Sequence, residues 1–400
     1  MYQEIAITKD LFYVGGSDRR LALFENVYPV PKGASYNSYL LLDEKTVLLD
    51  TVDASVGEQF LENTEHALGG RTLDYLVVHH MEPDHSATLL RVIETYPEAT
   101  LLCNKKTAQM IENYFPARIK NIRLVQDGET VCFGVHSLKF VFTPMVHWPE
   151  VMMSLDLFDG TLFSADAFGT FGALGGNLYA DEVDFAHNYM DEARRYYINI
   201  VGKYGVQVQN AIKKLGGEQI NRICPLHGPV WRKNLNEILD KYVTWSSYKA
   251  EEKGVVVFYG SVYGHTANAA EVLASEIAKE GVYAQVYDCS KTHVSELVSE
   301  AFRYSHAVFA SSTYNNGIFP PVETLIADLK AHNYQNRKFA LIENGSWSPQ
   351  AGNLMDGLLS SCKNLEQIGE KVTLLSSGKE EQRQAIVALA KQIADDVKNS

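Results

Sequence analysis

Val255-Val256-Val257-Phe258-Tyr259-Gly260-Ser261-Val262-Tyr263-Gly264-His265-Thr266 decides how the second half of this chain folds. An unbroken apolar run is what a strand buried on both faces requires. The turn after it leads into a segment whose Ala269, Leu273 and Ile277 recur once per helical turn. The same rhythm continues to the end of the chain. Strands are expected over Tyr283–Cys289, Ala307–Thr313, Phe339–Asn344 and Val372–Ser377, and helices over Thr266–Lys279, Val294–Arg303, Val322–Ala331, Gln350–Ser361 and Glu380–Lys398. Buried strands alternating with helices predict an α/β domain with a doubly wound parallel sheet.

A glycine- and hydroxyl-rich turn between first strand and first helix aims free backbone N–H groups and the positive end of the helix dipole at one point, so an anion is expected there. The turn lacks the lysine of a P-loop and does not match G-x-G-x-x-G, which favours a monophosphate over a triphosphate or a dinucleotide. Two more strand ends, Ser312-Thr313-Tyr314-Asn315-Asn316-Gly317 and Asn344-Gly345-Ser346-Trp347-Ser348, converge on the same sheet edge. On these three loops the stretch 254–400 resembles flavodoxin. That resemblance implies FMN, with Ser261, Tyr263, Gly264, His265 and Thr266 at its phosphate. Ser312, Thr313, Tyr314, Asn315, Asn316, Gly317, Ser346 and Trp347 would lie at the ring. Glu343 and Asn344 depart from the small, neutral residues expected beside a flavin.

Upstream, the polar stretch Ser246–Gly254 marks a domain boundary, giving units over 1–250 and 254–400. Short apolar runs at Tyr36–Leu42, Thr46–Leu49, Leu76–Val78, Thr100–Leu102, Leu138–Phe142, Val151–Leu157 and Leu162–Ser164 read as strands of hairpins, with a few helices between. Leu76–Val78 ends in His79-His80-Met81-Glu82-Pro83-Asp84-His85, so His80, Glu82, Asp84 and His85 crowd one strand end. His147, Asp166 and His227 each follow another apolar run and are expected on the same rim. Three carboxylates in a partly buried pocket repel one another. Two divalent ions with a bridging hydroxide balance that charge, and imidazole with carboxylate and no thiolate suits iron, manganese or zinc.

H-x-E-x-D-H is similar to the H-x-H-x-D-H of the metallo-β-lactamase zinc hydrolases, with Glu82 in place of a histidine. Joined to a flavodoxin-like half, it resembles the flavodiiron proteins over nearly the whole chain. The resemblance implies an N-terminal metallo-β-lactamase-like αββα domain. In it His80, Glu82 and His147 would hold one iron, Asp84, His85 and His227 the other, with Asp166 bridging. It implies reduction of O2 to water or of NO to N2O, with electrons relayed through FMN from rubredoxin or another external donor. Two ferrous ions and a reduced flavin hold four electrons, enough for either product. The rival reading is a zinc hydrolase with an accessory flavodoxin-like domain, against which Glu82 argues.

Around the metals, Trp148 and Tyr196 or Tyr197 are expected to line the pocket, and Glu25 to occupy the place where family members often carry a histidine. His79 should face away, because side chains alternate along a strand. The remaining histidines, His66, His136, His187, His293, His306 and His332, are given no role. A domain of this size has a radius of gyration of roughly 18 Å, so an FMN and the irons of one chain would lie about 35 Å apart. A head-to-tail homodimer, or a dimer of such dimers, would bring one chain's flavin to the other's metals.

Composition narrows the remaining classes. With 36 Lys+Arg against 49 Asp+Glu the net charge is -13, which disfavours nucleic acid and anionic membranes as partners. The 5 cysteines stand singly, no long apolar run occurs, and the first residues lack a signal-peptide pattern. A cytoplasmic protein with a separate electron donor is the expectation.

Overall fold

The computed structural model describes residues 1–3 and 5–400 and divides into two compact units, Met1–Tyr242 and Val243–Ser400. The division falls within the helix Asn236–Ser246. Among the described residues no helix is long and apolar enough to cross a membrane.

Two large sheets build the first unit, beside two small two-stranded ones. One has seven strands, with a parallel half built from Thr46–Leu49, Tyr75–Val77, Thr100–Cys103 and Ile122–Leu124. The other has five, running from Thr130–Cys132 through Ser137–Phe142, Met152–Asp156 and Thr161–Phe163 to Arg222–Cys224. Leu41, Leu49, Val77 and Leu102 of the first sheet and Phe140, Met152, Phe163 and Cys224 of the second share one buried core, so the sheets pack face to face. Helices Gly57–Leu68 and Lys105–Tyr114 lie against the first sheet. Asn104 caps the latter, accepting from Lys106 N and Thr107 N, while its own amide donates to the Glu150 carbonyl. This is the αββα arrangement expected of a metallo-β-lactamase-like domain.

His136 belongs to this scaffold. Its Nδ1 pairs with Asp156, its Nε2 lies 3.3 Å from Asp10 Oδ2, and its backbone N–H donates to Asp43 Oδ2. Burial opposes its protonation, but the hydrogen bond to Asp156 and the surrounding carboxylates win and raise its pKa to about 9. A folded-state value above the unfolded one, about 6.5, stabilises the fold fully below pH 6.5, and the gain is lost as pH climbs to about 9. The melting-temperature gap between wild type and His136→Gln should therefore be widest near pH 6 and shrink across that window. A gap that stays constant with pH would rule out a charged His136.

The second unit is a parallel sheet in the order Ala284–Asp288, Glu252–Gly260, Tyr304–Tyr314, Arg337–Asn344, with Leu365–Gln367 and Val372–Leu374 lying one after the other along the far edge of Arg337–Asn344. That is the 2-1-3-4-5 order of flavodoxin-like sheets. Helices His265–Lys279 and Glu380–Asn399 pack on one face through Leu273, Ile277, Leu389 and Ile393. The other three helices, Val294–Arg303, Pro320–Ala331 and Ala351–Leu359, pack against one another in succession. The expected fifth strand is shorter, Val372–Leu374, and a strand not expected, Leu365–Gln367, precedes it; Gly369 turns the chain at φ 64° between the two. Asn315 and Asn316 both adopt positive φ and fold Gly317–Ile318 back as a short antiparallel strand.

Candidate functional site

Four separate strand ends of the first unit supply the predicted ligands. His80, Glu82, Asp84 and His85 follow Tyr75–Val77, and His147 follows Ser137–Phe142. Asp166 follows Thr161–Phe163, and His227 follows Arg222–Cys224. The structure brings all seven together, as two groups of possible metal donors. His80, Glu82, His147 and Asp166 form one group; Asp84, His85 and His227 form the other.

In the first group, Glu82 Oε2 lies 3.2 Å from His80 Nε2 and 3.0 Å from His147 Nε2. Asp166 Oδ2 lies 3.4 and 3.1 Å from the same two nitrogens. In the second, Asp84 Oδ2 is 3.3 Å from both His85 Nε2 and His227 Nε2, and those nitrogens are 3.0 Å apart. Asp166 Oδ1 faces this second group, 3.1 Å from His85 Nε2 and 3.7 Å from His227 Nε2. An ion held at about 2.1 Å keeps neighbouring donors about 3.0 Å apart in an octahedron and about 3.4 Å apart in a tetrahedron. All but the longest of these spacings match those edges, and the two oxygens of Asp166 point to opposite groups.

The electrostatics call for positive charge here. Burial opposes protonation of His80, His85 and His147, yet the neighbouring carboxylates raise all three, His147 to about 9. Glu82 and Asp166 move the opposite way: burial is outweighed by the imidazoles, and both are held well below the usual carboxylate range. Asp84 Oδ1 and Oδ2 and Asp166 Oδ1 are buried with no hydrogen-bond donor among the described residues. Undirected buried carboxylate oxygens are costly unless a cation meets them. Gly169 leaves room for the cluster: a Cβ there would lie 3.0 Å from Asp166 O and 3.2 Å from the Tyr196 ring. The donor set and its geometry fit two hard or borderline metal ions.

The surroundings add residues that sequence reasoning missed. His80 Nδ1 pairs with Glu150 Oε1 at 2.8 Å, and the same oxygen accepts from Met81 N at 2.9 Å. His227 Nδ1 donates to the Ser35 carbonyl at 2.7 Å. Glu150 follows His147 closely in His147-Trp148-Pro149-Glu150, but nothing in that spacing reveals which way its carboxyl turns. His79 does face away, its ring between Asp50 and Ser154 Oγ; Asp50 Oδ1 also accepts from His79 N, bracing the ligand loop. Trp148 lies 5.3 Å ring to ring from His80, and Tyr196 lies 5.5 Å from His227. The Tyr196 hydroxyl is buried and finds no partner among the described residues. Tyr197 instead packs on Tyr242 at 4.8 Å. Glu25, at the turn of the hairpin Leu23–Pro29, is pushed up to about 8 by burial and then by the Glu82 carboxylate beside it.

The three loops of the second unit line a cavity of about 760 Å³ that includes Ser261, Tyr263, His265, Thr266, Ser312 to Asn316, Ser346 and Trp347. Gly264 precedes the helix at φ 96°, a conformation that glycine adopts without strain, and its N–H donates to Ser261 Oγ. The Thr266 and Ser312 hydroxyls join at 2.8 Å. Thr313 Oγ1 accepts from Gln350 N and Ala351 N, so it also holds the start of the next helix. Gly317 lies outside the lining, on the returning hairpin strand. Trp347 is 88 % exposed and Tyr263 92 %, large flat faces left open at the cavity. The anomalous Glu343 turns into the protein, bound to Lys371, Thr373 Oγ1 and Gly352 N, and leaves the cavity to Asn344 and Ser376.

Fold and site together define a metallo-β-lactamase-like domain with a paired His/carboxylate cluster, followed by a flavodoxin-like domain. Residues 34–228 match the family model described as ODP family beta lactamase, and residues 257–373 the flavodoxin model. The anaerobic nitric oxide reductase flavorubredoxin of Vibrio vulnificus is 31% identical, the match covering 86% of this chain and 70% of that one. Rubredoxin oxygen:oxidoreductase from Desulfovibrio gigas superposes with a TM-score of 0.93 at 28% identity over 99% of both chains. The flavodiiron protein of Giardia intestinalis shares the fold, with a TM-score of 0.91 at 24% identity over 99% of this chain and 98% of that one. The chain belongs to the flavodiiron proteins, and it is an oxidoreductase. The zinc-hydrolase reading is set aside.

Proposed function

We propose that this protein reduces O2 to water, NO to N2O, or both, at a non-haem diiron site, with electrons passing through FMN from an external donor such as rubredoxin. The observation that carries the reading is Asp166, whose two carboxylate oxygens face two separate ligand groups. His80, Glu82 and His147 would hold one iron, Asp84, His85 and His227 the other, with Asp166 shared; the phosphate loop Ser261–Thr266 and Trp347 would hold FMN. When bound, the irons and the flavin supply the electrons and the diatomic-binding positions.

The chain's own residues set the conditions. The carboxylates of Glu82, Asp84 and Asp166 hold negative charge against the metal side, favouring its oxidised state. Trp148, Tyr196 and Phe24 surround the cluster with apolar surface that limits water. The unpartnered Tyr196 hydroxyl is free to donate to a molecule held beside His227, and Glu25 places a carboxyl group next to Glu82 from the turn of the hairpin Leu23–Pro29. A head-to-tail homodimer in the cytoplasm completes the proposal, bringing one chain's flavin to the other's metals.

The test is metal analysis of iron-replete protein, followed by stopped-flow oxidation of the reduced protein by O2 and NO in parallel. About two irons and one FMN per chain, with fast oxidation by at least one gas, are expected; zinc in place of iron, or no reaction with either gas, would refute the reading. Trp347→Ala probes the flavin side. Loss of a stacking face costs about 1–3 kcal/mol, or roughly 5- to 150-fold in FMN affinity, with iron content unchanged. Unaltered FMN binding, measured by fluorescence titration, would discredit that contact.

A further inference from the structure

The two ligand groups differ in what stands behind their imidazoles. His80 rests its Nδ1 on the Glu150 carboxylate at 2.8 Å, and Glu150 is itself 1 % exposed and fixed by Met81 N. In the other group His227 rests on a neutral carbonyl, that of Ser35. His85 Nδ1 is buried with no partner among the described residues. An imidazole that donates to a carboxylate is a stronger metal donor than one that donates to a carbonyl, and an unanchored ring is the weakest of the three, because nothing holds its orientation.

We propose, on the basis of the diiron reading above, that Glu150 is a positioning residue that makes the two metal sites unequal. The site of His80, Glu82 and His147 fills first and holds its ion tightly. The site of Asp84, His85 and His227 fills second and is the one that exchanges. The inner donors are evenly matched, two imidazoles and one carboxylate each with one oxygen of Asp166. Among the described residues only His80 of the four imidazoles rests its Nδ1 on a carboxylate, so the difference comes from the buried negative charge behind it.

The experiment follows iron release from the intact, FMN-loaded, iron-replete protein under anaerobic dialysis against a chelator. Iron per chain is measured over time, with 57Fe Mössbauer spectra of the same samples. Wild type should lose one iron per chain quickly and the second at least about 10-fold more slowly, leaving a single ferrous doublet at the halfway point. Glu150→Gln should speed the slow phase by about 10- to 100-fold and shift that surviving doublet, while Glu150→Asp retains part of the slow phase. His85→Asn should abolish the fast phase and leave one tightly held iron. Release of both irons at one rate in wild type overturns the inference and leaves the diiron reading intact, and this arm needs no variant to fold. A slow phase and doublet unchanged in Glu150→Gln also overturn it, whereas a chain that holds no metal at all overturns both.

Discussion

Asp166→Ala should abolish gas reduction and strip most of the iron while FMN content stays at the wild-type level. The expectation follows from the position of one side chain between two groups: Oδ2 is 3.1 Å from His147 Nε2 and Oδ1 is 3.1 Å from His85 Nε2. Alanine removes a donor from each side together with a buried negative charge, leaving each group only two imidazoles and one carboxylate to hold its ion. Loss of a mere outer-shell partner lowers metal affinity by about 10- to 100-fold, so loss of a shared ligand should exceed about 100-fold at both positions. The flavin cavity is built by the other unit from its own three loops, so FMN absorbance acts as an internal control for folding. Retention of both iron and turnover in this variant would refute the assignment of Asp166.

Glu82→His converts H-x-E-x-D-H into the zinc-hydrolase pattern and should move the protein toward zinc. Glu82 Oε2 stands 3.2 and 3.0 Å from the imidazoles of His80 and His147, where an anionic oxygen favours ferric over ferrous iron. A neutral nitrogen at that place removes one negative charge and the preference that goes with it. Grown with both metals available, the variant should contain zinc in preference to iron and lose at least about 100-fold in turnover with the better gas substrate, again with FMN retained. Unchanged iron content and turnover would show that Glu82 does not select the metal.

Much of this was legible because metal chemistry is written in residue type. Imidazole and carboxylate in the order His80, Glu82, Asp84, His85, His147, Asp166, His227, each after an apolar run, mark strand ends, and strand ends of one layer share a rim. Glu343 shows the limit. As a charged residue beside the flavin loop it reads as an anomaly, yet Lys371 and the start of the helix Ala351–Leu359 draw it inward. The double turn at Asn315 and Asn316, and the turn at Gly369 after the extra strand Leu365–Gln367, depend on backbone conformations that an apolar pattern does not encode.

The amino-acid order by itself determined the parallel sheet of the second unit and the identity and sequence of the metal donors. Apolar runs buried on two faces and the ligand preferences of hard cations are local properties of side chains. Only the tertiary structure decided that Asp166 divides its oxygens between two groups, that Glu150 stands behind His80, and that His85 turns inward with a bare Nδ1. Those relations join residues tens of positions apart through the packing of two sheets. A side chain's direction there is set by every neighbour at once.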